Sequence, residues 1–178
     1  MLQTLIASAT VGAGGAASID FNSIPQTFTD LTVVVSGRSE SATTTAVLNM
    51  RFNGLSTGIY TIRQLRGSGA AVSSSATSST SFDGGDCIPG SSSTGSVFAN
   101  VQYVIPNYTQ TTDHKTIILE GVAEGNISST VNVVSSTGRS ASNLAVSSIT
   151  LLTSSNWAQY STAYLYGTLK GSGGATVS

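Results

Sequence analysis

The fold of this chain is decided by residues 29–52, TDLTVVVSGRSESATTTAVLNMRF. The first part of this stretch, 31–36, and the last part, 47–52, each place large apolar side chains at every second position. Because alternate side chains of a strand point to opposite faces, this period of two predicts two half-buried β-strands. The apolar residues concerned are Leu31, Val33, Val35, Leu48, Met50 and Phe52.

Residues 37–46 connect these two predicted strands. They carry Arg38 and Glu40 among Ser and Thr residues, so we expect the connection to be too polar to bury. The two strands are expected to return on each other and to leave a whole apolar face uncovered. Such a face needs a second layer, and the rest of the chain offers only further strands to supply it.

Further short strands are predicted along the whole chain, and no segment has the period of an amphipathic helix. Turn signals such as Asn53-Gly54 and Thr137-Gly138 separate them. The pattern predicts an all-β protein, an antiparallel β-sandwich of the jelly-roll-like or Greek-key type. The additional strands are expected over residues 2–10, 17–21, 59–66, 97–105, 115–122, 131–135, 144–153 and 162–170.

The predicted domain organisation is one β-sandwich over residues 16–170. Residues 1–15 are expected to form an extended N-terminal arm or an edge strand, and residues 171–178 a flexible tail. Within the domain, residues 67–96 are rich in Gly and Ser, which predicts a long loop excursion that Val72, Phe82 and Ile88 could hold in place. The N-terminal segment and this loop are expected to order on contact with neighbouring proteins.

The composition predicts a folded subunit of an assembly. Hydrophobic residues make up 39% of the 178 residues, but charged residues only 8%, against roughly a quarter in ordinary soluble proteins. A surface rich in hydroxyls and poor in charge costs little to desolvate against a partner. The net charge of −1 and the scattered basic residues argue against nucleic acid as a partner, and the apolar runs are too short for a membrane span.

Several residues that could carry chemistry are better explained by structure. Cys87 is the lone cysteine and is expected to be a half-buried residue near a turn. Asp113 and His114 are adjacent on a strand and point to opposite faces, which predicts a surface histidine rather than a catalytic pair. Asp83 and Asp86 lack a third acidic residue nearby, so a polar turn is expected rather than a calcium site.

Glu120 and Glu124 are two further acidic residues that lie close together in the sequence. Glu120 lies in a predicted strand and Glu124 in a turn, without an aromatic sugar platform beside them, so a glycosidase site is not predicted. We therefore expect no enzyme activity, no catalytic residues, no cofactor and no metal.

One concentration of aromatic side chains is a possible partner-contact site. Its members are Trp157, Tyr160, Tyr164 and Tyr166, of which Tyr164 and Tyr166 share one face of a predicted strand. Exposed aromatic stripes often bind partners. The same stripe could equally be the edge of the core.

The order of several segments resembles a group of tailed-bacteriophage virion proteins. In that group an IPQTYT-like segment, an RFNG turn and a closing LYG strand recur in this order. Here they correspond to IPQTFTDLTVVVSGRS at 24–39, LNMRFNG at 48–54, Lys115-Thr116 within YTQTTDHKTIILEG, and Leu165-Tyr166-Gly167 near the end. The resemblance covers most of the chain from Ala17 onward, and its motifs are structural.

The resemblance implies a β-sandwich on the surface of a phage particle. The function expected from it is that of a non-enzymatic cement or decoration protein. Such a protein binds the major capsid protein or other virion proteins and stabilises the head, and the resemblance also implies a homotrimer. The alternative is a tail-fibre or spike module that binds a host-surface receptor or glycan. The matched segments do not distinguish head from tail.

Overall fold

This computed structural model describes residues 3–69, 71–124 and 132–169. These residues contain fourteen β-strands and no helix. Most strands alternate between buried and exposed residues, as the period of two predicts. The strands are β1 Gln3–Thr10, β2 Ile19–Phe21, β3 Asp30–Gly37, β4 Thr45–Ala46, β5 Leu48–Phe52, β6 Tyr60–Ser68, β7 Ala71–Ser79, β8 Phe82–Asp83, β9 Ile88–Pro89, β10 Ala99–Ile105, β11 Lys115–Ala123, β12 Asn132–Ser140, β13 Ile149–Thr153 and β14 Thr162–Thr168.

The strands form two main antiparallel sheets. The larger has eight strands in the order β1-β14-β3-β10-β11-β12-β6-β7, and the smaller has four in the order β2-β13-β5-β8; β4 and β9 form a separate pair. Many neighbours in the sheets are distant in sequence, as Greek-key connections produce. The predicted all-β antiparallel β-sandwich is confirmed.

The core lies between the two sheets. Leu31, Val33 and Val35 of β3 are fully buried, and so are Leu48 and Met50 of β5. The expectation that these two strands return on each other was wrong, because β3 belongs to the larger sheet and β5 to the smaller. Each strand therefore presents its apolar side to the other sheet, and no further layer is needed to cover them.

The connection between β3 and β5 is exposed at residues 40 and 42–44, as expected. The expectation was wrong for Arg38 and Ser39, which are buried. The Arg38 guanidinium donates to the carbonyl oxygens of four residues that follow β9, at 2.7 to 3.3 Å: Ser91, Ser93, Thr94 and Val97. A polar group can be buried when its hydrogen bonds are satisfied, and here carbonyl groups satisfy them.

The segment 67–96, predicted as a long Gly/Ser loop, is largely ordered structure. Its first part is the nine-residue strand β7, which pairs with β6 at the edge of the larger sheet. Its second part forms β8 and β9, and Phe82 and Ile88 are fully buried there, as expected. Val72 does not hold the segment in place, because 75% of its surface is exposed.

Of two turns predicted from glycine-containing pairs, one is present and one is not. Asn53 and Gly54 both have positive φ and form the predicted turn, in which the Asn53 side chain also donates to the Ala145 carbonyl and accepts from the Ser147 amide. The turn predicted at Thr137-Gly138 is wrong, because both residues lie inside β12. A Cβ at Gly138 would lie 2.3 Å from the Phe82 ring, so close packing explains this glycine.

The N-terminal segment forms an edge strand of the larger sheet. β1 pairs with β14, and its register shifts between Leu5 and Ala7, which marks a bulge. It is therefore part of the sheet and not a free arm. The tail predicted over 171–178 lies outside the described residues.

Candidate interaction surface

One face of the eight-stranded sheet is not covered by the four-stranded sheet. We call the side chains that point away from the smaller sheet the outer face. On β11, for example, Ile117 and Leu119 are fully buried, whereas 50% of Ile118 and 39% of Val122 are exposed. Because side chains alternate along each strand, one side of this sheet is buried in the core and the other side faces solvent.

Cross-strand pairing arranges most of the outer face in three rows of seven residues, each row running from β14 to β7. The first row consists of Tyr164, Val34, Gln102, Glu120, Ser135, Leu65 and Ser74. The second consists of Tyr166, Thr32, Val104, Ile118, Thr137, Arg63 and Ala76. The third consists of Thr162, Ser36, Asn100, Val122, Val133, Gly67 and Val72.

The outer face is broad and carries few charges. Glu120 and Arg63 are the charged side chains in these three rows, and Arg139 and Asp30 lie in the next row toward the Thr61 end of β6. Six strand spacings and three rows cover about 30 Å by 20 Å, or roughly 600 Å². This approaches the roughly 800 Å² that each partner contributes to a standard protein interface. A specific protein contact could be made here with little charge to desolvate.

Exposed aliphatic side chains are concentrated at the end of the outer face near β7. They are Leu65, Val72, Ile118, Val122 and Val133, each at least 39% exposed. Three shallow depressions, open to solvent, lie among these strands, and Glu120, Val122, Val133 and Leu65 are among their lining residues. The surface suits flat contact with another protein better than enclosure of a small molecule.

At the opposite end of the outer face, Tyr164 and Tyr166 stack with ring centroids 6.5 Å apart and planes at 26°. Tyr164 is 37% exposed, and Tyr166 is half-buried. Both belong to the predicted partner-contact group, and their shared strand face is as predicted. Their position extends the outer face to the β1 edge.

The other two members of that group lie elsewhere. Trp157 is fully buried; its indole donates to the Leu151 carbonyl at 3.2 Å, and a Cβ at Gly37 would lie 2.5 Å from its ring. The interpretation of Trp157 as a contact residue is therefore wrong, because the side chain closes one end of the core. Tyr160 is 69% exposed, with φ of 71°, in the turn before β14.

The acidic and histidine candidates are held apart in separate contacts. Asp86 forms an ion pair with Arg66 at 2.5 Å, while Asp83 accepts from the Gly85 amide at 2.8 Å. His114 Nδ1 lies 3.0 Å from an Arg139 guanidinium nitrogen. Among the described residues, no three His, Cys, Asp or Glu side chains come together as a metal site would need.

Glu120 and Glu124 do not form a pair suited to glycoside hydrolysis. Glu120 is an outer-face residue of β11, and Glu124 follows the end of that strand. Four residues of extended chain separate their backbones by about 13 Å. Both side chains are exposed, whereas a glycosidase encloses its acid in a site that raises the pKa of the carboxyl group.

Three buried polar groups belong to the interior rather than to a site. Burial raises the pKa of the Cys87 thiol to about 12. Burial also raises the pKa of Tyr103, whose hydroxyl has no hydrogen-bond partner among the described residues. Burial lowers the pKa of Lys115, opposed by nearby Asp113, and the ammonium donates to the Gln110 and Asp113 carbonyls. Each group is enclosed, so none of the three offers a reactive surface.

The aliphatic residues of the outer face were missed in the sequence. Both faces of β11 carry large apolar residues, Ile117 and Leu119 on one and Ile118 and Val122 on the other, and this pattern favours a strand in the middle of a sandwich. The sequence of the neighbouring strand β12 could have shown that this face is exposed. Val133, Ser135 and Thr137 on one side of β12 alternate with Val134, Ser136 and Gly138 on the other, so both sides contain polar or small residues. A strand of this composition is not expected to be buried on both sides.

Comparison with protein-family models, with curated proteins and with solved structures finds no match to this chain. The described residues include no helix long and apolar enough to span a membrane.

Proposed function

We propose that this chain is a non-enzymatic structural protein of a tailed-bacteriophage particle. In this role it is a cement or decoration protein that binds the major capsid protein on the head. The observation that carries the proposal is the outer face, an uncovered surface of roughly 600 Å² with exposed aliphatic residues and few charges. A face of this kind suits a binding partner and not a substrate.

The virion assignment rests on the sequence resemblance. The segments that carry it include β3, β5 and β14, which are interior strands of the two sheets. These segments account for the β-sandwich itself. The homotrimer is also implied by the resemblance. The outer face adds a surface through which such a scaffold could bridge capsid subunits.

The copy number per particle tests the proposal most directly. Quantitative mass spectrometry of purified particles would compare this protein with the major capsid protein. Hundreds of copies are expected for a cement protein. A few tens or fewer would favour the tail-fibre or spike alternative, and absence from the particles would overturn the virion assignment.

A substitution on the outer face tests the surface itself. Val133 is 60% exposed on β12, so Val133→Lys places a charge there without disturbing the core. Binding to particles assembled without this protein should weaken at least tenfold. Ser56→Lys, the same charge in an exposed loop, should bind as the wild type does. Equal binding by the two variants would show that the outer face does not contact the particle.

A further inference from the structure

The edge strand β7 is exposed along nearly its whole length. It pairs with β6 in unbroken register from Ala71 to Ser79, and among the described residues no strand pairs with its other side. Eight of its nine residues are exposed on both faces, and Ser79 is half-buried. In an antiparallel ladder, about half of the amides and carbonyls of such a strand point away from their single neighbour.

Edges of this kind are usually protected against strand addition. Natural proteins shorten them, bulge them, or place lysine and proline on them. The sequence of β7, AVSSSATSS, has nine residues, no charge and no proline. The opposite edge differs, because β1 carries a bulge between Leu5 and Ala7. β7 is thus the straight and uninterrupted edge of the larger sheet.

We propose that β7 pairs antiparallel with β7 of a second copy of this chain, about a two-fold axis perpendicular to the sheet. With the nine residues fully overlapped, Ala71 lies opposite Ser79 and Ser75 lies opposite its own counterpart. A charged edge would repel its own copy, but this edge brings only Ser, Thr, Ala and Val side chains together. The strand is therefore self-complementary, as a two-fold contact requires.

The second layer of the sandwich leaves room for this pairing. The smaller sheet ends at β8, which packs against β6 and β12 of the larger sheet and not against β7. The inward side chains of β7, such as Ser73, Ser75 and Thr77, are exposed. A second copy can therefore approach the edge in the plane of the sheet without meeting the smaller sheets.

The pairing has a consequence for the outer face. Each of its three rows ends on β7, at Val72, Ser74 or Ala76. A strand added there continues all three rows into the second copy, so two outer faces join into one surface across sixteen strands. This inference does not depend on where the protein is found, because it follows from the edge alone.

Sedimentation equilibrium of the purified full chain at tens of micromolar tests the pairing. Wild type is expected at an even number of chains, which is six if the homotrimer implied by the resemblance also forms. Ser75→Lys places two charges across the two-fold axis and should weaken the pairing at least tenfold, while Ser56→Lys should not. A monomer overturns the proposal. A trimer also overturns it, because three chains cannot all pair their β7 edges about two-fold axes.

A cysteine at the axis tests the geometry independently. Cys87 is buried, so Ser75→Cys introduces the one accessible thiol of the described residues. Opposed residues of an antiparallel pair lie about 4.5 to 5.5 Å apart at Cα, within disulfide reach. Oxidation with diamide should link Ser75→Cys chains in pairs and leave Ser56→Cys chains largely unlinked. Equal linking of both variants would show random collision and contradict the two-fold contact.

Discussion

Two neighbouring segments of one stretch rich in small and hydroxyl residues have opposite environments in this protein. Residues 71–79 form β7, whose side chains are nearly all exposed. Residues 82–90 fold inward, with Phe82, Cys87 and Ile88 fully buried. The first segment is held by backbone pairing to β6 alone, whereas the second is held by its side chains.

The difference comes from a few anchors. Phe82 packs edge-on against Tyr103, with ring centroids 6.0 Å apart. Further along, the carbonyls of Ser91 to Val97 receive the hydrogen bonds of Arg38, a residue more than 50 positions earlier. β7 has no such anchor. The comparison shows that the spacing of a few apolar residues and one distant arginine can order a stretch whose average composition is that of a linker.

Removing the Phe82 anchor should produce the largest effect. Phe82→Ala deletes a fully buried ring and leaves a cavity between Tyr103 and Gly138, so the free energy of unfolding should fall by about 3 to 5 kcal/mol. Urea denaturation of purified protein measures this. A loss below about 1 kcal/mol would mean that the second segment is not anchored by this ring.

Arg38→Met should give the next largest effect. It removes all four guanidinium bonds, one of them buried and three partly buried, and leaves the carbonyls without these donors, so we expect a loss of about 2 to 4 kcal/mol. Amide exchange should accelerate over residues 90–97 and not over β7. Arg63→Met, at an exposed outer-face arginine, is the matched control and should cost less than about 0.5 kcal/mol. Faster exchange in both residues 90–97 and β7 would show that Arg38 does not stabilise the former selectively.

A pH-dependent effect of intermediate size is expected from Cys87. Its pKa is raised by burial from 9.0 to about 12, so below pH 9 the thiol is protonated in both states. Between pH 9 and 12 the unfolded chain ionises while the folded chain does not, and stability is lost. From pH 8 to 10.5, the stability of wild type relative to Cys87→Ala should fall by about 2 kcal/mol. A constant difference would show that the thiol ionises equally easily in both states.

The smallest effect is expected in β7. Val72→Ala removes two methyl groups from a side chain that is 75% exposed, so the free energy of unfolding should change by less than about 0.5 kcal/mol. Thermal unfolding at low protein concentration, where copies do not associate, measures the isolated chain. A loss comparable with that of Phe82→Ala would show that β7 is packed like the second segment.

Local sequence patterns predicted the strands better than the partners of those strands. The alternation at Leu31 and Leu48 correctly identified β3 and β5, because it depends only on neighbouring side chains. It could not place them in different sheets. Likewise, burial of Arg38 depends on carbonyls that lie distant in sequence, and Gly138 is explained only by the Phe82 ring packed against it.

The candidate surface was predicted in part for the same reason. Tyr164 and Tyr166 share a face because they are two residues apart, which the sequence shows directly. Trp157 was misplaced because a large aromatic residue in a connection has no period to interpret. Val122 and Val133 were missed because which face of a sheet is covered depends on the extent of the other sheet.

The position of β14 has a consequence for how this protein is made. β14 lies between β1 and β3, and its register pairs Thr168 with Gln3. During synthesis, β1 therefore leaves the ribosome more than 150 residues before β14 and waits for its neighbour until the chain through Thr168 has emerged. Contacts so distant in sequence fold slowly and leave strand edges open meanwhile. We expect the nascent chain to depend on the uncharged strand β1 remaining soluble until β14 is synthesised.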